Sequence, residues 1–241
     1  MYSAEYVWLD FNGNTRSKTK TMKEPIDILN LETYPTWNYD GSSTGQAEGG
    51  KSEVLIKPVK IIKDPFRNSN GMGNNVIVLC DTWLPDGTPH SSNTRVRCEK
   101  VALEANCQAM FGFEQEFFII NSHEQPISSS KFLNTLPKSQ GEYYCSVGGN
   151  NAIGRHIVEN AYQRCLEAGL DITGMNSEVA PSQWEIQVCA KNVDAGDQLQ
   201  LLRYILKRTS ELFECDISIH PKPYQGDWNG SGCHANFSTA D

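Results

Sequence analysis

Long apolar runs are missing. No stretch of 18 apolar residues occurs in the 241-residue chain, so nothing in the sequence reads as a membrane-spanning helix. Met1-Tyr2-Ser3-Ala4-Glu5 has neither a basic n-region nor an apolar h-region; no secretory signal is expected, and the cytoplasm is the expected location. No two of the eight cysteines stand in C-x-x-C spacing, which argues against a zinc ribbon or redox dithiol. Most sit among apolar residues, as Cys80 does after Val76-Ile77-Val78-Leu79, and buried reduced thiols are expected. Positive charge is scarce: 21 Lys and Arg against 29 Asp and Glu give a net charge of −8. A nucleic-acid partner needs a basic stripe; the densest basic cluster, Arg16-Ser17-Lys18-Thr19-Lys20, reads as an exposed strand with lysines toward solvent. There is no internal repeat and no coiled-coil pattern.

What is present changes character along the chain. The first ninety or so residues read as strands and turns: Tyr6 to Phe11, Arg16 to Met22, Val54 to Pro58 and Val76 to Asp81, with turn signals at Asn12-Gly13-Asn14 and Leu84 to Pro89. From about Asn93 to Met110 the period becomes helical, capped by Ser92 or Asn93, with Val96, Val101, Leu103, Ala105 and Met110 near one broad face. Phe113 to Ile120 reads as a strand, and 128–141 as a long surface loop. Arg155 to Glu167 reads as a helix ended by Gly169, and Leu199 to Phe213 as another. Leu170 to Gly174, Glu178-Val179, Trp184 to Ala190 and the start at Ile217 read as strands. A boundary is placed near residue 90, giving a small β-rich domain over 1–90 and a larger mixed domain over 91–241.

Several clusters carry chemistry. Glu114 and Glu116 flank Gln115 in an apolar run; on a strand they share one face, so they mark either a metal site or an exposed face. Glu178 and Glu185 frame the turn candidate Pro181-Ser182, and a hairpin there would set them across from each other. Gly226-Asp227-Trp228-Asn229-Gly230-Ser231-Gly232-Cys233-His234 lets backbone approach a ligand closely and ends in a metal- or phosphate-competent imidazole; no Gly-Lys-Ser/Thr follows it, so it is not a P-loop. Trp37-Asn38-Tyr39-Asp40-Gly41-Ser42-Ser43-Thr44 reads as an Asx turn between strands, and Tyr143-Tyr144-Cys145 as a strand running into a loop. Four carboxylates and one histidine, being mostly hard ligands, favour Mg²⁺ or Mn²⁺, and the chemistry suggested is metal-dependent phosphoryl transfer.

With those motifs in view, the chain resembles eukaryotic-type glutamine synthetases. The resemblance runs from Glu5-Tyr6-Val7-Trp8 to Phe237-Ser238-Thr239 and includes Trp37 to Thr44, Asp64-Pro65-Phe66-Arg67, Phe111 to Glu116, Tyr143-Tyr144-Cys145, Gln183-Trp184-Glu185 and Asn229 to His234. It implies an α+β fold: a small N-terminal β-grasp domain, then a glutamine-synthetase catalytic α/β domain. It implies ATP-dependent joining of glutamate and ammonia through a γ-glutamyl phosphate. By motif, Glu116, Glu178 and Glu185 would hold one metal ion, and Glu114 and His234 would help hold another. Trp228, Asn229 and Gly230 would serve glutamate, Asn236 and Ser238 the nucleotide, Asp40 the ammonium ion, and Tyr144 the ammonium pocket. The family's site lies between subunits, so a homo-oligomer is implied, a decamer of two pentameric rings.

Three departures qualify this resemblance. The chain stops at Asp241, where the family continues with a further metal-binding Glu, arginines for ATP and a Glu-bearing flap. The family's helix before Glu5 is absent, and Asn150-Asn151 replaces an Asp-Arg pair. The expectation is little or no synthesis by this chain alone; the alternative role is an inactive truncated subunit that assembles with, or modulates, a full-length enzyme.

Overall fold

The computed structural model of the chain describes residues 1–23, 27–68, 73–105, 107–127 and 138–239. These fold as α+β and form two compact units, Met1–Cys107 with Glu167–Gly169, and Gln108–Leu166 with Leu170–Asp241. The surface loop expected over 128–141 lies mostly outside the described residues.

The first unit is built on strands β1 (Tyr2–Leu9), β2 (Thr15–Met22), β3 (Trp37–Asp40), β4 (Glu53–Lys63) and β5 (Val76–Trp83). They form one sheet in the order β2-β1-β5-β4-β3, with β1 and β5 parallel and the other pairs antiparallel. Alternation explains the burial. Tyr2, Ala4, Tyr6 and Trp8 of β1 share a core with Ile56, Val76, Val78 and Cys80, as side chains two apart on a strand must. The lysines of edge strand β2 do not face solvent as expected. Lys18 and Lys20 pair with Tyr6 and Ala4 and share their face; they are half-buried and lie over the Trp37 ring, while Thr19 and Thr21 are exposed.

Helix α1 (Arg95–Ala105) is shorter than its sequence pattern predicts and buries none of its residues. Val101 is 55 % and Leu103 75 % exposed. The expected apolar face fails because Val101 and Leu103 are two residues apart, about 200° around a helix. Met110 begins a strand instead. Asn93 does cap the start, its side-chain oxygen accepting from the Val96 amide at 3.4 Å.

The second unit centres on β6 (Met110–Ile120), with β7 (Ile172–Ser177), β8 (Gln183–Lys191), β9 (Asp216–Ser218) and β10 (Cys233–Ser238). The order is β10-β6-β8-β7, and β9 pairs the far end of β6. Helices α2 (Arg155–Ala168) and α3 (Asn192–Glu211) complete the unit. Gly169 ends α2 at φ +85°, the left-handed position expected of a helix-terminating glycine. On one sheet face, Phe117, Trp184, Ile186 and Val188 are buried, and the Trp184 indole N–H donates to the Ile153 carbonyl at 2.7 Å. The opposite face carries the acids.

Two local expectations are corrected. Glu178 and Val179 lie in the turn between β7 and β8, because Ser177 already pairs with Trp184 and Glu178 N–H then closes the turn onto the Gln183 carbonyl at 2.8 Å. Tyr143 to Cys145 form a turn, not a strand, with Cys145 at φ +49°. Nor are the cysteines mostly buried. All eight are free, but only Cys80 and Cys165 are buried, since Cys233 lies on an exposed edge strand and Cys98 on the helix that buries nothing.

Candidate metal and substrate site

The register of the second sheet explains how distant acids meet. Glu116 pairs with Glu185 and Glu114 with Gln187 across β6 and β8, while His234 pairs with Glu114 across β10 and β6. Directly paired residues share a face, so Glu114, Glu116, Glu185 and His234 project together. Glu185 is opposite Asn176 on β7, and Glu178 enters from the turn beyond that strand. Glu116, Glu178 and Glu185 each bring a ligand-competent atom within 4.8 Å of the others. They are 8 %, 8 % and 5 % exposed.

Neutral groups hold these carboxylates. Asn176 donates to Glu178 Oε1 at 3.0 Å, and Gln187 to Glu185 Oε1 at 2.7 Å. Glu116 Oε2 accepts from the Gly232 amide at 2.9 Å. Among the described residues, none of the three pairs with lysine or arginine; the nearest cationic candidate is His234, whose Nε2 is 4.0 Å from Glu116 Oε1 and Nδ1 3.4 Å from Glu114 Oε2. Burial, reinforced by Glu116, pushes the Glu178 carboxyl above its ordinary range. Burial does the same to Glu185, with Glu114 and Glu116 adding repulsion against the bond from Gln187. Three buried acids without a compensating cation are costly, and the donor set, all carboxylate oxygen with an imidazole beside it, fits a hard divalent ion.

The glycine-rich segment borders this cluster. Its backbone is fastened at Gly232, which accepts from the Glu116 amide at 3.0 Å, and at Ser231, whose amide donates to the Pro221 carbonyl at 2.9 Å. A side chain at Gly230 would press its Cβ to 3.2 Å from the Pro221 oxygen, so this close approach favours glycine. Trp228 packs edge-on against Phe118 and tilts over Tyr224, with ring centroids at 6.5 and 5.0 Å. Asn229 donates to Gln183 Oε1 at 3.1 Å. Along β10, Asn236 donates to Glu114 Oε1 at 2.7 Å and stands opposite Gly112, while Ser238 stands opposite Met110. His234, Asn236 and Ser238 thus line the acid-bearing face in steps of two.

Tyr144 is exposed in a turn tied to the end of β7: Cys145 N–H donates to the Ser177 carbonyl at 2.9 Å, and Ser177 Oγ to the Tyr143 carbonyl at 2.8 Å. Its phenol is pushed up first by the Cys145 thiol and further by Glu178 and Glu185. Asp40 belongs to the first unit. It is exposed and caps a short 3-10 turn, Gly41–Thr44, its Oδ1 accepting from Ser42 Oγ at 2.6 Å and Ser42 N at 3.0 Å. Those Ser42 bonds, helped by Ser52, hold its carboxyl below the ordinary range.

Three contributors went unread in the sequence: Asn176, Gln183 and Gln187. The signal for two was present, since Gln183, Glu185 and Gln187 alternate on one strand face. A contrary signal also exists. Gly45-Gln46-Ala47-Glu48-Gly49-Gly50-Lys51-Ser52 spells a nucleotide phosphate loop, yet it runs into strand β4 and lacks the helix N-terminus such a loop requires.

Comparison with known proteins places this arrangement. Residues 93–241 match the family model described as glutamine synthetase, catalytic domain. A glutamine synthetase of Debaryomyces hansenii is 46 % identical over 239 residues, 98 % of this chain and 62 % of the relative. A probable glutamine synthetase of Caenorhabditis elegans is 47 % identical, covering 99 % of this chain and 64 % of the relative. A cytosolic isozyme of Daucus carota is 44 % identical, over 99 % of this chain and 67 % of the relative. The chain therefore spans about two thirds, or slightly less, of the length of these relatives. A solved structure described as a GmaS/ADP complex superposes at a TM-score of 0.73 with 18 % identity, covering 98 % of this chain and 53 % of that one, a likeness of fold.

Proposed function

The chain belongs to the glutamine synthetase family, and on that premise we propose that it carries the cation and glutamate portion of a site joining L-glutamate and ammonia to L-glutamine with ATP, through a γ-glutamyl phosphate. The observation that carries this reading is the meeting of Glu116, Glu178 and Glu185 within 4.8 Å, beside a glycine-rich loop whose Gly232 amide bonds the Glu116 carboxylate. Glu116, Glu178 and Glu185 would hold one Mg²⁺ or Mn²⁺, and Glu114 with His234 would contribute to a second. A bound divalent ion would offset the negative charge of glutamate and of the ATP phosphates. Trp228, Asn229 and Gly230 would seat glutamate, the small loop residues letting backbone carbonyls and amides reach it. Asn236 and Ser238 would face the nucleotide; the fold neighbour described as an ADP complex supports nucleotide use. Asp40, kept ionised by its serine donors, would attract ammonium and accept its proton, with Tyr144 lining that pocket.

The same proposal includes the division at residue 90, a cytoplasmic location, and a homo-oligomer of two pentameric rings in which the Asp40 turn serves a neighbouring subunit. Among the described residues no helix is long and apolar enough to cross a membrane.

Titrating the chain with Mn²⁺ by calorimetry, and assaying it for glutamine formation alone and after mixing with a full-length family member, tests the reading. One high-affinity Mn²⁺ site lost in Glu185→Gln supports it. Mn²⁺ binding unaltered by that substitution would sink it. Synthesis only in mixtures would identify the chain as a subunit that completes or modulates another.

A further inference from the structure

Gln183 opens β8 immediately after the turn that carries Glu178, and it is 1 % exposed. Its side-chain amide uses its full hydrogen-bonding capacity of two donors and two acceptor sites. Nε2 donates to Glu116 Oε2 at 3.3 Å and to the Gly230 carbonyl at 2.7 Å. Oε1 accepts from the Ala180 amide at 3.2 Å and from Asn229 Nδ2 at 3.1 Å. The amide can point only this way, because the reverse would set its oxygen against a carboxylate and a carbonyl. Its backbone carbonyl accepts from Glu178 N–H at 2.8 Å, and Glu185 follows two residues on. A single buried glutamine therefore touches one cluster carboxylate directly, fixes the backbone of a second, and binds both Asn229 and Gly230 of the loop.

We propose that Gln183 is a positioning residue that couples cation occupancy of the Glu116–Glu178–Glu185 cluster to the conformation of the Asn229–Gly230 loop, so that a divalent cation and L-glutamate bind with positive linkage. The inference rests on the site reading above. Its physical basis is shared geometry. With Glu116 Oε2 held by Gln183 and by the Gly232 amide, a cation drawing on the other oxygen fixes the carboxylate plane. The donor to Oε2 is then fixed too, and with it the carbonyl that the same nitrogen grips. Energetic coupling is reciprocal, so ordering the loop around glutamate steadies the carboxylate in return.

The test uses the full 241-residue chain, with Mn²⁺ and L-glutamate as probes. Mn²⁺ affinity is measured by calorimetry with and without saturating L-glutamate, for the unmodified chain, Gln183→Met and Gln183→Glu. In the unmodified chain L-glutamate is expected to tighten Mn²⁺ binding about tenfold, within the usual range of coupling. In Gln183→Met the glutamate effect falls to about onefold, whatever the change in Mn²⁺ affinity measured without glutamate. Gln183→Glu, which faces the Gly230 carbonyl with an acceptor, also abolishes the effect. A merely structural residue would lower both affinities together and leave the linkage intact, and that outcome, or equal linkage in all three proteins, overturns the proposal. Absence of linkage in the unmodified chain overturns it as well. Should the unmodified chain bind no Mn²⁺, the cation reading fails separately, and amide exchange decides the role of Gln183. Faster exchange confined to 229–232 in both variants sustains the positioning role, and unchanged protection there removes it.

Discussion

Buried carboxylates occur in both units, and they are treated in opposite ways. In the first unit Glu5 and Asp64 share the guanidinium of Arg67 at 2.6 and 2.7 Å. Thr19 adds a bond to Glu5 at 2.5 Å, and Asp10 takes Arg16 at 2.9 Å with amide donors from Asn12 and Asn14. Burial alone would raise Glu5, but Thr19, Ser17 and Arg67 outweigh it and its carboxyl is lowered. Asp10 is lowered the same way, burial being overcome by Asn14, Arg16 and Asn12. In the second unit burial raises Glu178 and Glu185, neighbouring carboxylates add to it, and among the described residues no lysine or arginine pairs with either. Glu5, Asp64 and Asp10 have cations built into the fold, whereas Glu116, Glu178 and Glu185 are left to neutral donors, the setting proposed above for a cation from solution. Burial alone does not distinguish the two, but the partners do.

The sharpest way to break this comparison is to remove a built-in cation. Arg67→Met leaves Glu5 and Asp64 buried without a cation, held only by neutral donors such as Thr19 and the Phe66 amide. Loss of one partner from a buried pair costs about 3–5 kcal/mol, and the partly exposed guanidinium puts the expected cost at the lower end, about 3 kcal/mol. Urea unfolding of the chain measures it. A change under about 0.5 kcal/mol would mean that the first unit's acids are no better served than the second's.

In the second unit, neutralising an acid should act with the opposite sign on stability. Glu185→Gln removes one of three ligand carboxylates and is expected to weaken Mn²⁺ binding about 100-fold, about 2.7 kcal/mol. In metal-free buffer the same variant should unfold at a higher temperature than the unmodified chain, since repulsion with Glu114 and Glu116 is relieved. Calorimetry and thermal unfolding of one preparation read both effects. Destabilisation of the metal-free variant would place Glu185 with the scaffold acids.

Titration separates the units again. The lowered Glu5 and Asp10 contribute stability that is present above their unfolded values, 4.5 and 3.8, and that is lost as pH falls through their folded values. The raised Glu178 and Glu185 contribute stability that is present below 4.5 and lost as pH rises through their folded values. A cation reverses this second dependence because it binds the ionised form. The thermal shift produced by saturating Mn²⁺ should therefore grow between about pH 5 and about pH 8. A shift independent of pH would show that the cluster does not bind the ion through these carboxylates.

How much of this could be read beforehand depends on distance along the chain. The strands of the first unit were legible because alternation and turn residues act locally; Thr15–Met22 shows its alternation within eight residues, but not that its lysines would turn toward Trp37. Glu114 and Glu116 were legible as a same-face pair for the same reason. The packing of α1 was not, because Val101 and Leu103 look apolar without lying on one face. Nor was the turn position of Glu178, since strand β7 ends where Ser177 pairs with Trp184, a register set by tertiary contacts. Gln183 is the clearest case. Its alternation with Glu185 puts it on the acid-bearing face, but its partners lie 67 and 47 residues away in sequence, at Glu116 and Gly230, and glutamine carries no charge to draw notice. Family motifs supplied the grouping of the acids; the neutral side chains that hold them emerge only from the folded register.

The smallest expected effect tests how far the contrast extends to the surface. Arg16 is half exposed, whereas the Asp10 side chain it meets is almost wholly buried. Removing the guanidinium in Arg16→Met leaves Asp10 Oδ1 with its backbone donors at Asn12 and Asn14, both 2.9 Å, and Oδ2 with the Asn14 amide at 3.4 Å. Exposed cations contribute little in water, so the expected loss is about 0.5–1 kcal/mol in urea unfolding, well below that of Arg67→Met. A double variant should behave additively, because the two arginines serve different acids. A loss as large as that of Arg67→Met would show that backbone amides alone cannot carry a buried aspartate here. The neutral donors around Glu116, Glu178 and Glu185 would then be an even poorer substitute for a cation, and the pull of that cluster on a divalent ion correspondingly stronger.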